Sequence, residues 1–156
     1  MTYTKLAAVV IFTLCLATGI RASSAPFRKC KSGAPTPIDF RMNTCTSERC
    51  LLYTGETAEA EWDFEVTAET EFLKPKVRAI VFGLYVSYDI GQENACDSLT
   101  NAVCPLDVNE EITYALRMAI LAEYPKVSLD IEFSLVDDKG DAQVCLIIPA
   151  KVTDRT

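Results

Sequence analysis

The chain has 156 residues, of which 15 are Lys or Arg and 22 are Asp or Glu, so its formal net charge at pH 7 is −7. This acidity argues against nucleic-acid binding, which needs clustered basic side chains, and against tethering to anionic lipid by a basic patch. Hydrophobic residues make up 49% of the chain, which excludes a disordered protein and predicts one domain with a substantial core.

Residues 1–22 have the pattern of a secretory signal peptide. Lys5 supplies a positive charge, an apolar stretch follows at residues 6–20, and small residues at 22–25 offer cleavage positions after Ala22 or Ser24. A membrane anchor is the alternative, but the apolar stretch is short for a span of about 20 residues. We therefore expect residues 23–156 to form a secreted, extracellular domain.

Six cysteines follow the signal peptide: Cys30, Cys45, Cys50, Cys96, Cys104 and Cys145. An even number of cysteines in a secreted chain predicts three disulfides, but the sequence alone leaves their pairing open. Zinc is the competing interpretation, and the absence of His and of a paired Cys-x2-Cys spacing argues against a metal.

The same absence of His argues against an enzyme, because neither a Ser–His nor a Cys–His dyad can form. Asp137 and Asp138 could in principle act as an acid and a base. Their position in the polar turn at residues 137–141 predicts that both are solvated instead. We therefore expect no catalytic residues.

Apolar and polar residues alternate along much of the chain, which is the period of a half-buried strand. The alternation predicts strands at residues 38–42, 58–68, 124–135 and 144–152. Residues 77–88 are apolar on both faces, which predicts one strand that is covered on both sides or has a face used for binding. The polar segment 89–105 holds two cysteines and is predicted to be a disulfide-linked loop.

The sequence of residues 112–124 is compatible with either a strand or a helix. Their apolar residues alternate as in a strand, but they also follow helical spacing in a composition that favours helix. With these residues included, about seven strand-like segments separated by turns predict an all-β sandwich. A true immunoglobulin domain is not indicated, because Trp62 follows Cys50 but no Tyr-x-Cys corner precedes a later cysteine.

Three dipeptides lie in order among the six cysteines: Cys104-Pro105, Tyr124-Pro125 and Asp137-Asp138. Each is a weak signal, but together with the cysteine order the chain resembles the Niemann–Pick type C2 family from residue 27 to residue 152. This family consists of secreted ML (lipid-recognition) domain proteins, a class that includes arthropod carriers. The resemblance implies an immunoglobulin-like β-sandwich of two antiparallel sheets, with a strand at residues 112–124. It also implies the disulfides Cys30–Cys145, Cys45–Cys50 and Cys96–Cys104.

The resemblance further implies a lipid pocket between the sheets. Its mouth corresponds to Ile120, Tyr124, Pro125 and Val127. Its deeper wall corresponds to Val81, Leu129, Ile131 and Phe133, with Trp62 and Phe64 on the facing sheet. The alternative from the residues alone is that all of these side chains simply form a solid core, since a sandwich needs the same alternation. A void of about 300–1,000 Å³ would distinguish a binding site from a solid core.

The resemblance implies a carrier without cofactor or enzymatic activity. It would hold a sterol, fatty acid or other small lipid and release it to a membrane or a receptor ectodomain. Two other roles of the same pocket stay open, namely an innate-immune lipid-recognition module and a semiochemical carrier.

Overall fold

The computed structural model describes residues 24–156, so the predicted signal peptide lies outside the described residues. Two β-sheets make up the fold. The strands are β1 (Arg28–Lys29), β2 (Asp39–Arg41), β3 (Cys50–Tyr53), β4 (Thr57–Glu65), β5 (Lys74–Val81), β6 (Leu84–Tyr88), β7 (Glu111–Ala119), β8 (Ser128–Val136) and β9 (Ala142–Thr153). The helical content of the described residues is a single 3-10 turn, Ala95–Ser98, and no helix among them is long and apolar enough to cross a membrane.

The larger sheet has six strands in the order β1-β9-β8-β5-β6, with β3 also pairing with β9, and the smaller has the order β2-β4-β7. All pairs are antiparallel except β3 with β9, which run parallel. The predicted all-β sandwich is therefore confirmed, with nine strands where the sequence indicated about seven.

Residues 112–124 form a strand over most of their length, since β7 pairs with β4 from Glu111 to Ala119. Along β7, alternate residues from Ile112 to Met118 are buried and those between them are less buried or exposed. The helical preference of the local composition is overridden because only a strand puts all of these apolar side chains on one face.

The prediction of one strand over residues 77–88 is wrong, because the chain reverses within it. Val81 pairs with Leu84 at the end of the β5–β6 hairpin, and Phe82 and Gly83 form the two-residue turn. Both turn residues have positive φ, 50° and 80° respectively. This is the backbone required by the tight turns that match strand twist. The hairpin makes β6 a free edge of the larger sheet.

Three disulfides hold the N-terminal segment, the turn before β3 and the loop before β7. The pairs are Cys30–Cys145, Cys45–Cys50 and Cys96–Cys104, with sequence separations of 115, 5 and 8 residues. These are the pairings implied by the family resemblance. The first ties the N-terminal segment to β9, and the third closes the loop before β7.

Aromatic side chains from both sheets fill the middle of the sandwich. Trp62 of β4 lies with its ring centroid 4.7 Å from that of Tyr114 on β7 and 4.8 Å from that of Phe133 on β8. All three side chains are 0% exposed. Aromatic pairs at these distances contribute packing beyond the area they bury, so this cluster joins the two layers.

A buried polar group closes one end of the sandwich. The Gln143 Oε1 atom accepts hydrogen bonds from the backbone N–H groups of Thr67 and Ala68, and its Nε2 atom donates to Asp137 Oδ2 at 2.9 Å. Asp137 is 4% exposed, so the prediction that it is solvated is wrong. Its carboxylate also accepts from the backbone N–H groups of Lys139 and Asp141. Asp137 therefore has a structural role in holding the β8–β9 turn.

Candidate ligand cavity

An apolar cavity of about 190 Å³ opens between the two sheets, away from the aromatic cluster. Its lining residues come from both sheets and from the segment between β7 and β8. They are Leu52, Val77, Ala79, Val81, Tyr88, Met118, Ile120, Tyr124, Pro125, Val127, Leu129, Ile131 and Val152.

The main wall is built by strand periodicity. Val77, Ala79 and Val81 are alternate residues of β5 and therefore share one face of the sheet. Ala79 pairs with Ile131 of β8, which extends the same apolar surface to the next strand. The opposite wall comes from Met118 at the end of β7, so the cavity lies where the smaller sheet ends.

Three of the residues predicted to form the mouth, Tyr124, Pro125 and Val127, lie in the segment that connects β7 to β8. The Tyr124 N–H donates to the Leu121 carbonyl, and the Val127 N–H donates to the carbonyl of Pro125 at 2.9 Å. The Val152 N–H of β9 then donates to the Val127 carbonyl, also at 2.9 Å. These bonds hold Tyr124, Pro125 and Val127 in the cavity lining although the segment contains no strand.

Two tyrosine hydroxyls meet at the cavity. Tyr88 of β6 and Tyr124 of the mouth segment place their hydroxyl oxygens 2.7 Å apart, with the rings edge to face at a centroid distance of 6.1 Å. Burial raises the pKa of Tyr88 to about 12, with further increases from its bond to Tyr124 and from the nearby charge of Asp89. The Tyr88 hydroxyl is therefore neutral at physiological pH.

Seven of the ten residues assigned to the pocket by resemblance line this cavity: Val81, Ile120, Tyr124, Pro125, Val127, Leu129 and Ile131. Trp62, Phe64 and Phe133 do not line it. They lie in the packed core, where Trp62 and Phe133 are in direct aromatic contact. The structure thus separates a solid aromatic region from the cavity.

Six lining residues were not assigned from the sequence: Leu52, Val77, Ala79, Tyr88, Met118 and Val152. The two-residue period of a strand, followed back from Val81, leads to Ala79 and Val77, and followed back from Ile120 it leads to Met118. Tyr88 requires knowledge of the hairpin, since it faces Val77 only after the chain reverses. Leu52 and Val152 depend on the parallel β3–β9 pairing, for which the sequence holds no signal.

The observed volume is below the range of about 300–1,000 Å³ expected for a ligand pocket. A ligand as large as a sterol must therefore push the sheets further apart or extend through the mouth.

An exposed apolar rim lies beside the cavity. We use this term for Phe82, Leu84 and Val86, whose side chains are 93%, 70% and 56% exposed. Leu84 pairs with Val81 and Val86 pairs with Ala79, so both share the face of the cavity wall. The apolar surface thus continues from the cavity to the outside.

Chemically reactive arrangements are not found at this site. The lining has no Ser, Cys, Lys, Arg, Asp or Glu side chain. Among residues 24–156, no group of three or more His, Cys, Asp or Glu side chains is placed to hold a metal ion. What the cavity can do is enclose a hydrophobic molecule.

Comparisons with known sequences all indicate the same family. A family model described as the ML domain matches residues 24–152. The NPC intracellular cholesterol transporter 2 of Sus scrofa is 27% identical over 145 residues, which cover 93% of this chain and 96% of that protein. The NPC intracellular cholesterol transporter 2 homolog a of Drosophila melanogaster is 29% identical over 140 residues, covering 88% and 94%.

Solved structures show the same fold. A Niemann–Pick type C2 protein from Japanese carpenter ant has a TM-score of 0.74 at 21% identity and covers 82% of this chain and 99% of that one. Chicken MD-1 complexed with lipid IVa has a TM-score of 0.55 at 18% identity and covers 79% and 85%.

Proposed function

Because the chain belongs to the ML-domain family, we propose that it is a secreted carrier that holds a small lipid between its sheets and transfers it to a membrane or a receptor. The observation that carries this proposal is the apolar cavity, whose lining includes Tyr124, Pro125 and Val127, three of the residues predicted to form its mouth. Relatives named as cholesterol transporters support a sterol as one ligand class, and a fatty acid is the other.

The energetics are sufficient for useful affinity. Removing about 400 Å² of apolar ligand surface from water contributes about 10 kcal/mol at 25 cal/mol per Å². The loss of translational and rotational freedom on binding offsets part of this, so affinities between micromolar and nanomolar are expected. Dry apolar walls help, since little ordered water has to be displaced.

The apolar rim supports the transfer step. Leu84 and Val86 are exposed and pair with the cavity-wall residues Val81 and Ala79, so a ligand that leaves the cavity on this side stays in contact with apolar surface. A membrane or a receptor ectodomain that covers the rim would receive the ligand without exposing it to water. No residue at the cavity supports an enzymatic reaction on the ligand.

A lipid-recognition module is the second candidate function. The fold of MD-1, whose solved structure contains lipid IVa, is compatible with it. In that role the loaded protein would form a lasting complex with a receptor ectodomain, whereas a carrier, including a semiochemical carrier, would release its ligand. Transfer of labelled lipid from the protein to vesicles distinguishes these roles.

The test is to identify lipid that co-purifies with natively secreted protein by mass spectrometry, and then to displace it with labelled sterol and with oleate. Val127→Asp puts a charge at the mouth and should abolish uptake. Val103→Asp is the matched control, since Val103 is 81% exposed and does not line the cavity. Equal uptake by the two variants, or no bound lipid of either class, would overturn the proposal.

A further inference from the structure

A second, smaller apolar void lies next to the cavity, on the side of the aromatic cluster. We call it the inner void; it has a volume of about 10 Å³, and its lining includes Ala58 and Ala60 of β4 and Phe133 of β8. All of its lining side chains are apolar. An apolar space of this size stays dry, so hydrocarbon is the natural material to fill it.

The cavity and the inner void are separated by a partition of side chains. Among the described residues, Leu52, Met118 and Ile131 line both spaces. Ile131 is β-branched and lies between two paired strands, opposite Ala79 of β5 and Ile148 of β9, so its side chain is restricted at χ1. Met118 is unbranched and has three rotatable bonds, which lets it adapt to irregular spaces. It is therefore the part of the partition that moves at least cost.

The strand that pairs with Met118 leaves room for such a movement. In the β4–β7 ladder Met118 lies opposite Ala58, and Leu116 lies opposite Ala60. Side chains of directly paired residues share one face and are close neighbours, so two methyl groups stand where larger side chains would block the methionine. The next inward residue of β4 is Trp62, which begins the aromatic cluster.

The inner void adds depth to the cavity rather than width. On β8 the cavity is lined as far as Ile131, and the inner void extends the lining to Phe133. These two residues of a strand are about 7 Å apart along its axis. A narrow linear chain could use this depth, because it needs only a gap beside Met118.

We infer that Met118 is a movable partition that sets how far an alkyl chain penetrates between the sheets. Short chains end against Met118, whereas longer chains turn its side chain aside and place their last carbons in the inner void beside Phe133. This inference rests on the proposed function and adds to it the residue that determines chain-length preference among ligands of the fatty-acid class.

The binding test measures displacement of a fluorescent lipid from the full secreted protein by saturated fatty acids, from octanoate to palmitate. Each further buried methylene should tighten binding about fourfold until the chain reaches the end of the accessible space. Met118→Ile keeps the number of side-chain heavy atoms but is stiff at χ1. It should bind octanoate like the wild type, and its gain in affinity should stop at a shorter chain.

Ala60→Val fills the inner void from the facing strand and should shorten the chain-length profile in the same way. Ala115→Val is the matched control. Ala115 lies opposite Glu61 on the outer face of the same pair of strands, so this variant should keep the wild-type profile.

Met42 gives a readout that does not depend on affinity, because it lines the inner void and not the cavity. In methionine-methyl NMR, with the signals assigned by Met42→Leu, octanoate should shift the Met118 signal alone. Palmitate should shift the signals of both Met118 and Met42. In Met118→Ile, palmitate should leave the Met42 signal in place.

The possible failures separate the inference from the carrier function. Identical chain-length profiles in the wild type, Met118→Ile and Ala60→Val would overturn the inference and leave the carrier function standing. A Met42 signal that bound palmitate does not shift would do the same, since the added carbons would then lie outside the inner void. If no fatty acid and no labelled sterol binds, the carrier function is overturned with it.

Discussion

A larger side chain that fills the cavity should stabilise the unliganded protein and weaken ligand binding. Ala79 lies on the β5 wall, and Ala79→Leu adds three carbons at a position that faces the void. Each buried methylene contributes about 0.8 kcal/mol, so the three carbons contribute about 2.4 kcal/mol. Ordering the new side chain costs about 0.5–1 kcal/mol. The unliganded variant should therefore be about 1.5 kcal/mol more stable, which corresponds to a Tm increase of about 5 °C.

The same carbons take space from the ligand. If they displace an equal number of ligand carbons, binding weakens by about 2.4 kcal/mol, or about 50-fold. Thermal unfolding with and without a displaceable lipid measures both effects, since a ligand at 100 times its Kd stabilises the folded state by about 2.7 kcal/mol. The ligand-induced Tm shift should shrink in the variant that has the higher unliganded Tm.

Ala115→Leu provides the matched control. Ala115 lies on the outer face of β7, between the buried residues Tyr114 and Leu116, so the same added carbons meet solvent. This variant should keep the wild-type affinity. If Ala79→Leu also binds as tightly as the wild type while its Tm rises, the ligand lies elsewhere and our reasoning about the cavity is wrong.

Two further predictions concern the shell around the cavity. Replacing Cys30 and Cys145 together by Ala should lower the free energy of unfolding in urea by about 4–5 kcal/mol, because their disulfide closes a loop of 115 residues. Replacing Cys45 and Cys50 should lower it clearly less, because their separation is only 5 residues. Similar decreases in the two variants would contradict the loop-entropy argument. Burial of Asp137 is outweighed by hydrogen bonds to its carboxylate, so its folded pKa is below the ordinary 3.8. Its stabilisation is therefore complete above that value and is lost as pH falls through the folded pKa. Asp137→Asn should be less stable than the wild type at pH 6 but lose less between pH 6 and pH 3, and an equal loss in both proteins would refute this assignment.

The long alternating strands could be predicted from the sequence, because burial on one face imposes a period of two. In β4, residues from Ala58 to Phe64 alternate between buried and more exposed positions despite their helix-favouring composition. The hairpin between β5 and β6 could not be predicted. Its turn is Phe82-Gly83, and a large aromatic residue at a positive φ is not a recognised turn signal.

The cavity could be predicted only in part, and the limit is physical. Apolar alternation is the same whether the two faces touch or stand apart, so Phe133 and Ile131 were assigned to one wall although only Ile131 lines the void. Tyr88 and Tyr124 meet across 36 residues of sequence, through a contact that no local pattern encodes.

The larger sheet has six strands and the smaller one three. Because the larger sheet is broader, the smaller sheet does not cover β5 and β6 completely. The cavity lies on this uncovered side and does not interrupt the aromatic cluster around Trp62, whose contacts still join the two layers. The width of the cavity can therefore differ among related chains through the β7–β8 connection and the β5–β6 hairpin alone, while the aromatic contacts that join the two layers stay the same.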